Sequence, residues 1–542
     1  MKTWSVWDDY AVAAMQRIFF LMFLHCCFSM PVNAQAPAIE WQLCVGGTAN
    51  DSATCIRQCS DGGYIITGYT RSADGNFSIN RGGTDLFVAK LNNSGIISWQ
   101  RTYGGTGDDK AYCVQECRNG GFIVAGYTAS NDGDISLNKG SNDYWVIKLN
   151  DTGGISWQKT YGGSGWDQAA WIVQTIDGGY IVAGFSNSAD GDVSGLHQNQ
   201  TEPDYWIVKL NDTGAISWQK CYGSNGGDIP YCIQQTKDSG YIISGYTDSD
   251  DGDVTGLHGI IDCWVLKIND TGTISWEKCY GGEWAEYAYS IQQTKDGGYI
   301  FAGSTESGLG EVTGLHGYPP GTTSDCWIVK LDDTGKINWE QCYGGKYNDM
   351  AYGIEQTPDG GYIFAGAAGS NDGDVTGQHL LMGQPTGDVW VVKLNDTGQV
   401  SWEQCYGGTK LDIALSIQQT ADSGYIVAGF SNSTDGDVSG NHGSYDCWVV
   451  KLNATTGVAS PMLSKGDVRV WPNPVGDVLH VKATENVYIN VLSVEGKMLM
   501  RDCFVPANDV KGLGLSDLFN GVYFLQIVYA DGSRELRKIV KE

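Results

Sequence analysis

Aspartates in the spacing Asp-Gly-Asp recur five times in this sequence: NDGDISLNKG from Asn131, ADGDVSGLHQ from Ala189, DDGDVTGLHG from Asp250, NDGDVTGQHL from Asn371 and TDGDVSGNHG from Thr434. Two carboxylates around a glycine can offer hard oxygen ligands to calcium, and the glycine permits the sharp turn such a loop needs. The candidate ligands are Asp132 and Asp134, Asp190 and Asp192, Asp251 and Asp253, Asp372 and Asp374, and Asp435 and Asp437. The longer Asp-x-Asp-x-Asp-Gly spacing with a distal Glu is missing, and Asp74-Gly75-Asn76 and Leu309-Gly310-Glu311 break the pattern. The same residues also read as tight turns whose carboxylates cap backbone donors. Five loops add a histidine at a matching place, His197, His258, His316, His379 and His442. Imidazoles on one rim could bind a transition metal, but a histidine multiplied by duplication also serves simply to pack a loop.

No catalytic constellation stands out. There is no Gly-x-Ser-x-Gly elbow, no zinc-protease helix motif and no phosphate-binding glycine loop. Candidate acids recur from unit to unit, as structural duplication gives and a single active site does not. The most unit-specific insertions, Gly317 to Ser324 and His379 to Gly387, read as loop extensions.

These loops hang on a repeated frame, seen in DCWVLKINDTGTISWEKC from Asp262 to Cys279. Trp41, Trp99, Trp157, Trp218, Trp276, Trp339 and Trp402 mark seven copies at spacings of 58, 58, 61, 58, 63 and 63 residues. Such a period identifies a repeat architecture in which each copy buries its apolar faces against its neighbours. A full unit reads as four strands, for example AYSIQQT, GGYIFAG, DCWIVKL and KINWEQCYGG, with Asp-Gly-Gly and Asp-Thr-Gly turns as hairpin signals. The reading is all-β: a seven-bladed β-propeller over residues 36–459. After Asp446 to Asn453, Pro461 falls where the next tryptophan belongs, and proline cannot donate to a ladder. The surplus copy Ile39 to Gly47 then fills the vacancy, a strand closure between the two ends.

A three-residue Asp270-Thr271-Gly272 loop places Cys263 opposite Cys279, and the third- and fourth-strand tryptophans on one face. Cross-strand disulfides are therefore expected for Cys263 with Cys279, Cys326 with Cys342 and, through the closure, Cys44 with Cys447. Each of the first two would contribute about 3 kcal/mol for a loop of this size.

The units, running from a Trp strand into Tyr-Gly-Gly, then Asp-Gly-Gly-Tyr-Ile, then Asp-x-Trp-Val-x-Lys-Leu, resemble the SBBP family of bacterial β-propeller repeats. That resemblance implies a propeller in an extracellular or surface setting, and no particular activity. Beyond a linker at 460–466, residues 467–542 alternate as the strands of a small antiparallel β-sandwich. Trp471-Pro472-Asn473-Pro474, the turn at Gly496, Asn520-Gly521-Val522-Tyr523 and the closing Lys538-Ile539-Val540-Lys541 resemble the type A C-terminal sorting domain of the type IX secretion system. The resemblance implies a Gram-negative source, passage through the periplasm, recognition by the type IX secretion machinery, and a secreted or outer-membrane-surface destination.

The front end agrees with export. An apolar run from Ile18 to Met30 follows Arg17 and leads to Val32-Asn33-Ala34, so residues 1–34 read as a signal peptide, with Met15 an alternative start. No later stretch suits a transmembrane helix. A net charge of −28 argues against nucleic acid, which needs a basic surface. The expected function is a secreted or cell-surface recognition protein for a glycan or protein ligand. The alternatives are a structural surface or matrix protein without a small ligand, and a propeller enzyme, hydrolase or quinoprotein-like.

Overall fold

The computed structural model describes residues 36–454 apart from 198–201 and 318, and residues 468–541 apart from 472–474, 476–477, 484–485, 494–496, 508–509, 517 and 530–533. The expected signal peptide, the linker, the Pro472-Asn473-Pro474 segment and Gly496 lie outside the described residues. The chain divides into two compact units, 1–456 and 457–542.

Among the described residues there is no helix. The larger unit consists of repeated four-stranded antiparallel sheets, a propeller-like arrangement. The first sheet takes Asp51–Gln58, Tyr64–Thr70, Asp85–Leu91 and Ile97–Tyr103. Five more follow within residues 109–161, 167–222, 228–280, 286–343 and 349–406. The last combines Asp412–Gln419, Tyr425–Ser431 and Asp446–Leu452 with Ile39–Val45, which pairs antiparallel to Asp446–Leu452.

Burial explains the order of the strands. Third strands such as Asp262–Ile268 are buried at every residue, whereas fourth strands such as Ile274–Tyr280 are partly exposed. A third strand therefore needs apolar residues on both faces, which is why it does not alternate. Its one lysine is tied down: Lys267 Nζ lies 2.8 Å from Asp238 in the Asp238-Ser239-Gly240 turn, and Lys90, Lys209, Lys330, Lys393 and Lys451 repeat the pair. The Asp-x-Trp-Val-x-Lys-Leu signature thus clamps the turn of one hairpin onto the next strand. Neighbouring sheets are joined by last-strand tyrosines, the Tyr280 hydroxyl donating to the Gly335 carbonyl at 2.5 Å and that of Tyr222 to Gly272.

The third-to-fourth-strand hairpins correct the expected register. Gly272 takes the left-handed conformation, φ 76°, and Asn269 Oδ1 accepts the N–H groups of Thr271 and Thr273. Ile268 then opposes Ile274 as expected, but a bulge follows and Lys267 opposes Trp276. The extra residue moves every later pair by one position. Cys263 consequently faces Tyr280, while Cys279 faces Trp264. In the next sheet Cys326 faces Tyr343 and Cys342 faces Trp327, and across the last sheet Cys44 faces Trp448 and Cys447 faces Val45. Side chains one position out of register point to opposite faces of a sheet. The three cysteine pairs accordingly do not face each other, and all six thiols are free and buried. The same shift sends Trp264 and Trp276 to opposite faces, into different apolar clusters.

The tail is a sandwich. A three-stranded sheet (Val468–Trp471, Val478–Ala483, Val510–Gly514) and a four-stranded one (Val487–Leu492, Met498–Val505, Gly521–Tyr529, Arg534–Lys541) are both antiparallel. Leu479, Val481, Ile489, Val491, Leu525 and Ile527 meet in one core. Gly521 opposes Lys541 and Tyr523 opposes Ile539, so the sorting-motif residues Gly521, Tyr523 and Lys541 lie on one hairpin.

Candidate functional site

The Asp-Gly-Asp loops fold back onto the Tyr-Gly-Gly turns. Asp132 accepts the N–H of Thr106 at 2.7 Å and Asp134 that of Gly104 at 3.1 Å. The pattern repeats with Asp190 and Asp192 on Ser164 and Gly162, Asp251 and Asp253 on Asn225 and Gly223, Asp372 and Asp374 on Lys346 and Gly344, and Asp435 and Asp437 on Thr409 and Gly407. Two loops also hold a cation, Arg81 beside Asp134 and Lys139 beside Asp192. These ten carboxylates cap backbone donors. Among the described residues no group of three or more His, Cys, Asp and Glu side chains is placed to hold a metal ion.

Each loop histidine is a partner for one buried aspartate. The Nδ1 of His258 lies 2.7 Å from Asp262, and His197, His316, His379 and His442 pair likewise with Asp204, Asp325, Asp388 and Asp446. The bond to Asp204 holds the His197 imidazolium above its ordinary range. These aspartates head the third strands. A carboxylate heading the first strand of the following sheet lies close by, and the glycine between leaves no room for a side chain. A Cβ on Gly104 would sit 2.6 Å from Asp85 and 2.8 Å from Asp109. Burial raises the carboxyls of Asp85, Asp143 and Asp325 to about 6 and those of Asp228 and Asp349 to about 7. The repetition of this pair from sheet to sheet marks it as part of the frame.

The arrangement that no single repeat displays is at the first strands. Each carries a bulge at its middle, as between Ala111 and Cys113, Pro230 and Cys232, Ala288 and Ser290, and Ala351 and Gly353. A bulge re-aims one side chain, here Tyr112, Tyr231, Tyr289 and Tyr352. These tyrosines, with Tyr69, Trp171 and Phe185, line a basin of about 350 Å³ that Thr54, Ala170 and Leu415 complete. All seven sheets contribute to it.

Three of the rings form a contiguous run. Tyr231 and Tyr289 have centroids 5.0 Å apart, and Tyr289 and Tyr352 4.9 Å. Burial pushes the phenols of Tyr112, Tyr231 and Tyr289 upward, so they are neutral donors. The basin lies toward the N-terminal ends of the first strands, the end at which the long loops leave the second strands. Such a wall can hold the apolar face of a ring while hydroxyls at its edge bond polar groups. Sequence reading passed over it, although AYC, PYC, AYS and AYG at four first strands carry the signal.

Residues 469–542 match the family described as Secretion system C-terminal sorting domain. The tail is a sorting domain of the type IX system, and it assigns the chain to export toward the cell surface. No curated protein matches the sequence. Among solved structures, the extracellular domain of a one-component system from B. thetaiotaomicron covers 94% of this chain at 10% identity and a TM-score of 0.38, and this chain spans 58% of that one. Sqt1 of Chaetomium thermophilum covers 81% at 10% identity and a TM-score of 0.35, with 97% of its own length matched. The V. cholerae biofilm matrix protein Bap1 covers 79% at 12% identity and a TM-score of 0.30, with 92% of its own length matched. No helix among the described residues is long and apolar enough to cross a membrane.

Proposed function

We propose that this chain is a glycan-recognition protein of the outer-membrane surface or medium of a Gram-negative bacterium, built as a closed seven-bladed propeller of SBBP-type repeats. Its tail hands it from the periplasm to the type IX secretion machinery. The observation that carries the binding role is the aromatic basin to which all seven first strands contribute. Its size favours a glycan over a protein. About 350 Å³ suits one or two sugar rings, whereas a stable protein interface needs about 800 Å² from each partner. Closure is supported by bonds between the last and first sheets that repeat those between other neighbours. The Asp51 N–H of the first sheet donates to Tyr445 O beside the last at 2.7 Å, as Asp109 does to Thr84, and Tyr406 of the sixth sheet donates to the Pro37 carbonyl at 2.6 Å, as Tyr280 does to Gly335, which ties the N-terminal strand into the last sheet.

The test is binding of the full chain to an array of neutral oligosaccharides, beside the Tyr231→Ala/Tyr289→Ala double variant. Saturable binding that the variant loses supports the reading. Binding that survives in the variant, or none to any glycan, sinks it.

A further inference from the structure

On the far side of Trp171 from the aromatic basin lies a second cavity of different chemistry. It measures about 390 Å³ and sits toward the C-terminal ends of the first strands. One ring of side chains gives it its character: Arg57, Gln115, Val173, Gln234, Gln292, Glu355 and Gln418, one from each sheet.

The orientation of the amides follows from their bonds. Gln115 Oε1 accepts the N–H of Gln174 at 2.8 Å, Gln234 that of Gln293 at 2.6 Å, Gln292 that of Gln356 at 2.6 Å, and Gln418 that of Gln58 at 2.7 Å. A backbone N–H can only meet an amide oxygen. Each oxygen is thereby engaged with a neighbouring sheet, and among the described residues the four NH2 groups have no protein acceptor.

Arg57 adds charge to these donors. Its guanidinium lies over the Trp171 ring at 5.2 Å, and Nη1 donates to Ile56 O at 2.7 Å and to Ser416 Oγ at 3.1 Å. Among the described residues, Nε and Nη2 have no acceptor. The carboxylates offer little in return. Both oxygens of Glu116 are taken by Ser60, and Glu355 Oε2 accepts the Gln419 N–H at 2.6 Å. A wall of unspent donors around one cation calls for a ligand rich in acceptors, whose one negative charge sits on Arg57 in competition with the Glu355 carboxylate. The cavity is larger than a carboxylate alone would fill, and amides suit ring hydroxyls. We infer that this second cavity binds a carboxylate-bearing sugar, its carboxylate on Arg57 and its hydroxyls on Gln115, Gln234, Gln292 and Gln418. The net charge of −28 does not forbid this, because charges beyond about 8 Å are largely screened at physiological salt.

Glu355 supplies the control. It stands in the ring where other sheets have glutamine and caps Gln419 in the same way, so the chain itself shows that Glu is tolerated there. Gln234→Glu keeps the cap on Gln293 but replaces a donor by a carboxylate oxygen. The experiment is calorimetric titration of the full chain with D-glucuronate, D-glucose and acetate. The expected results are saturable glucuronate binding at least about tenfold tighter than glucose or acetate, and weakening of about tenfold or more in Arg57→Gln and in Gln234→Glu. Glu355→Gln should tighten it, and Tyr289→Ala, whose residue lines only the aromatic basin, should leave it unchanged. Glucose binding as well as glucuronate, indifference to Gln234→Glu, or loss in Tyr289→Ala would overturn the inference. The last would place the sugar in the basin instead. Because the basin is tested with neutral glycans, either site can fail without the other.

Discussion

The backbone N–H of Gln58, in the first sheet, donates to the side-chain oxygen of Gln418, in the last, at 2.7 Å and across 360 residues of sequence. Gln356 and Gln292 make the same bond between two consecutive sheets at 2.6 Å. If the ring is closed, the two bonds are equivalent. Gln418→Leu and Gln292→Leu should each lower the unfolding free energy by about 1–2 kcal/mol, since each strands a partly buried donor. Denaturant titration of both variants checks this, and a silent Gln418→Leu beside a costly Gln292→Leu would mean an open ring.

Cysteine chemistry follows from the bulge. Cys263 and Cys279 lie on opposite faces of their hairpin, as do Cys326 and Cys342. Alkylation of denatured, unreduced protein followed by mass spectrometry should therefore label all four. A peptide linking Cys263 to Cys279 would restore the unbulged register.

Chelation should have no effect on stability, because the Asp-Gly-Asp carboxylates hold N–H groups. The denaturation midpoint is expected to coincide in calcium and in EDTA. Asp374→Ala, which frees the Gly344 N–H, should cost about 1 kcal/mol in either buffer. A midpoint that falls in EDTA would bring the metal reading back.

Stability should decline from mildly acid to mildly alkaline pH. Burial lifts the folded-state carboxyls of Asp85 and Asp143 to about 6 and of Asp228 and Asp349 to about 7, against 3.8 when unfolded. Between those values the native state holds more protons than the unfolded one, so these groups stabilise below about pH 4 and lose that contribution as pH rises through 6 to 7. His197, also raised, has the same sign. Asp61 is lowered by its bond from Lys90; Asp177, although burial acts to raise it, is brought to about 2 by bonds from Lys209, Thr175 and Gly179. Those two lose their contribution as pH falls below about 4. Urea midpoints at pH 5 and pH 8 test the sign, and a higher midpoint at pH 8 refutes it.

The run of aromatic rings makes its own prediction. Tyr289 touches both Tyr231 and Tyr352, so Tyr289→Ala should weaken neutral-glycan binding about tenfold, the equivalent of roughly 1.4 kcal/mol for an aromatic contact. The far-ultraviolet circular dichroism of the variant should stay that of the parent. Unchanged affinity with an unchanged spectrum would remove Tyr289 from the site.

Strands and turns were legible because each is local. The Asn269-Asp270-Thr271-Gly272 turn, the apolar Asp262–Ile268 run and the tail motif around Asn520-Gly521 each carry their signal within a few residues. Register was not: where the ladder bulges beyond Ile268 depends on both strands settling against neighbours, and one extra residue undid three expected disulfides. The two cavities were less legible still. Tyr231, Tyr289 and Tyr352 lie about 60 residues apart in turn, and nothing in one copy says that the same position from seven copies converges. The histidines drew notice as possible ligands, yet their partner was the already prominent aspartate of the third strand.

The pairing of Ile39–Val45 with Asp446–Leu452 makes completeness a condition for finishing the domain. A chain truncated anywhere before residue 446 leaves its first strand an unpaired edge, and lacks the sorting domain at 469–542 as well. The last sheet and the export address are thus both supplied by residues 446–542. A fragment that lacks the partner of its first strand therefore lacks the sorting domain too.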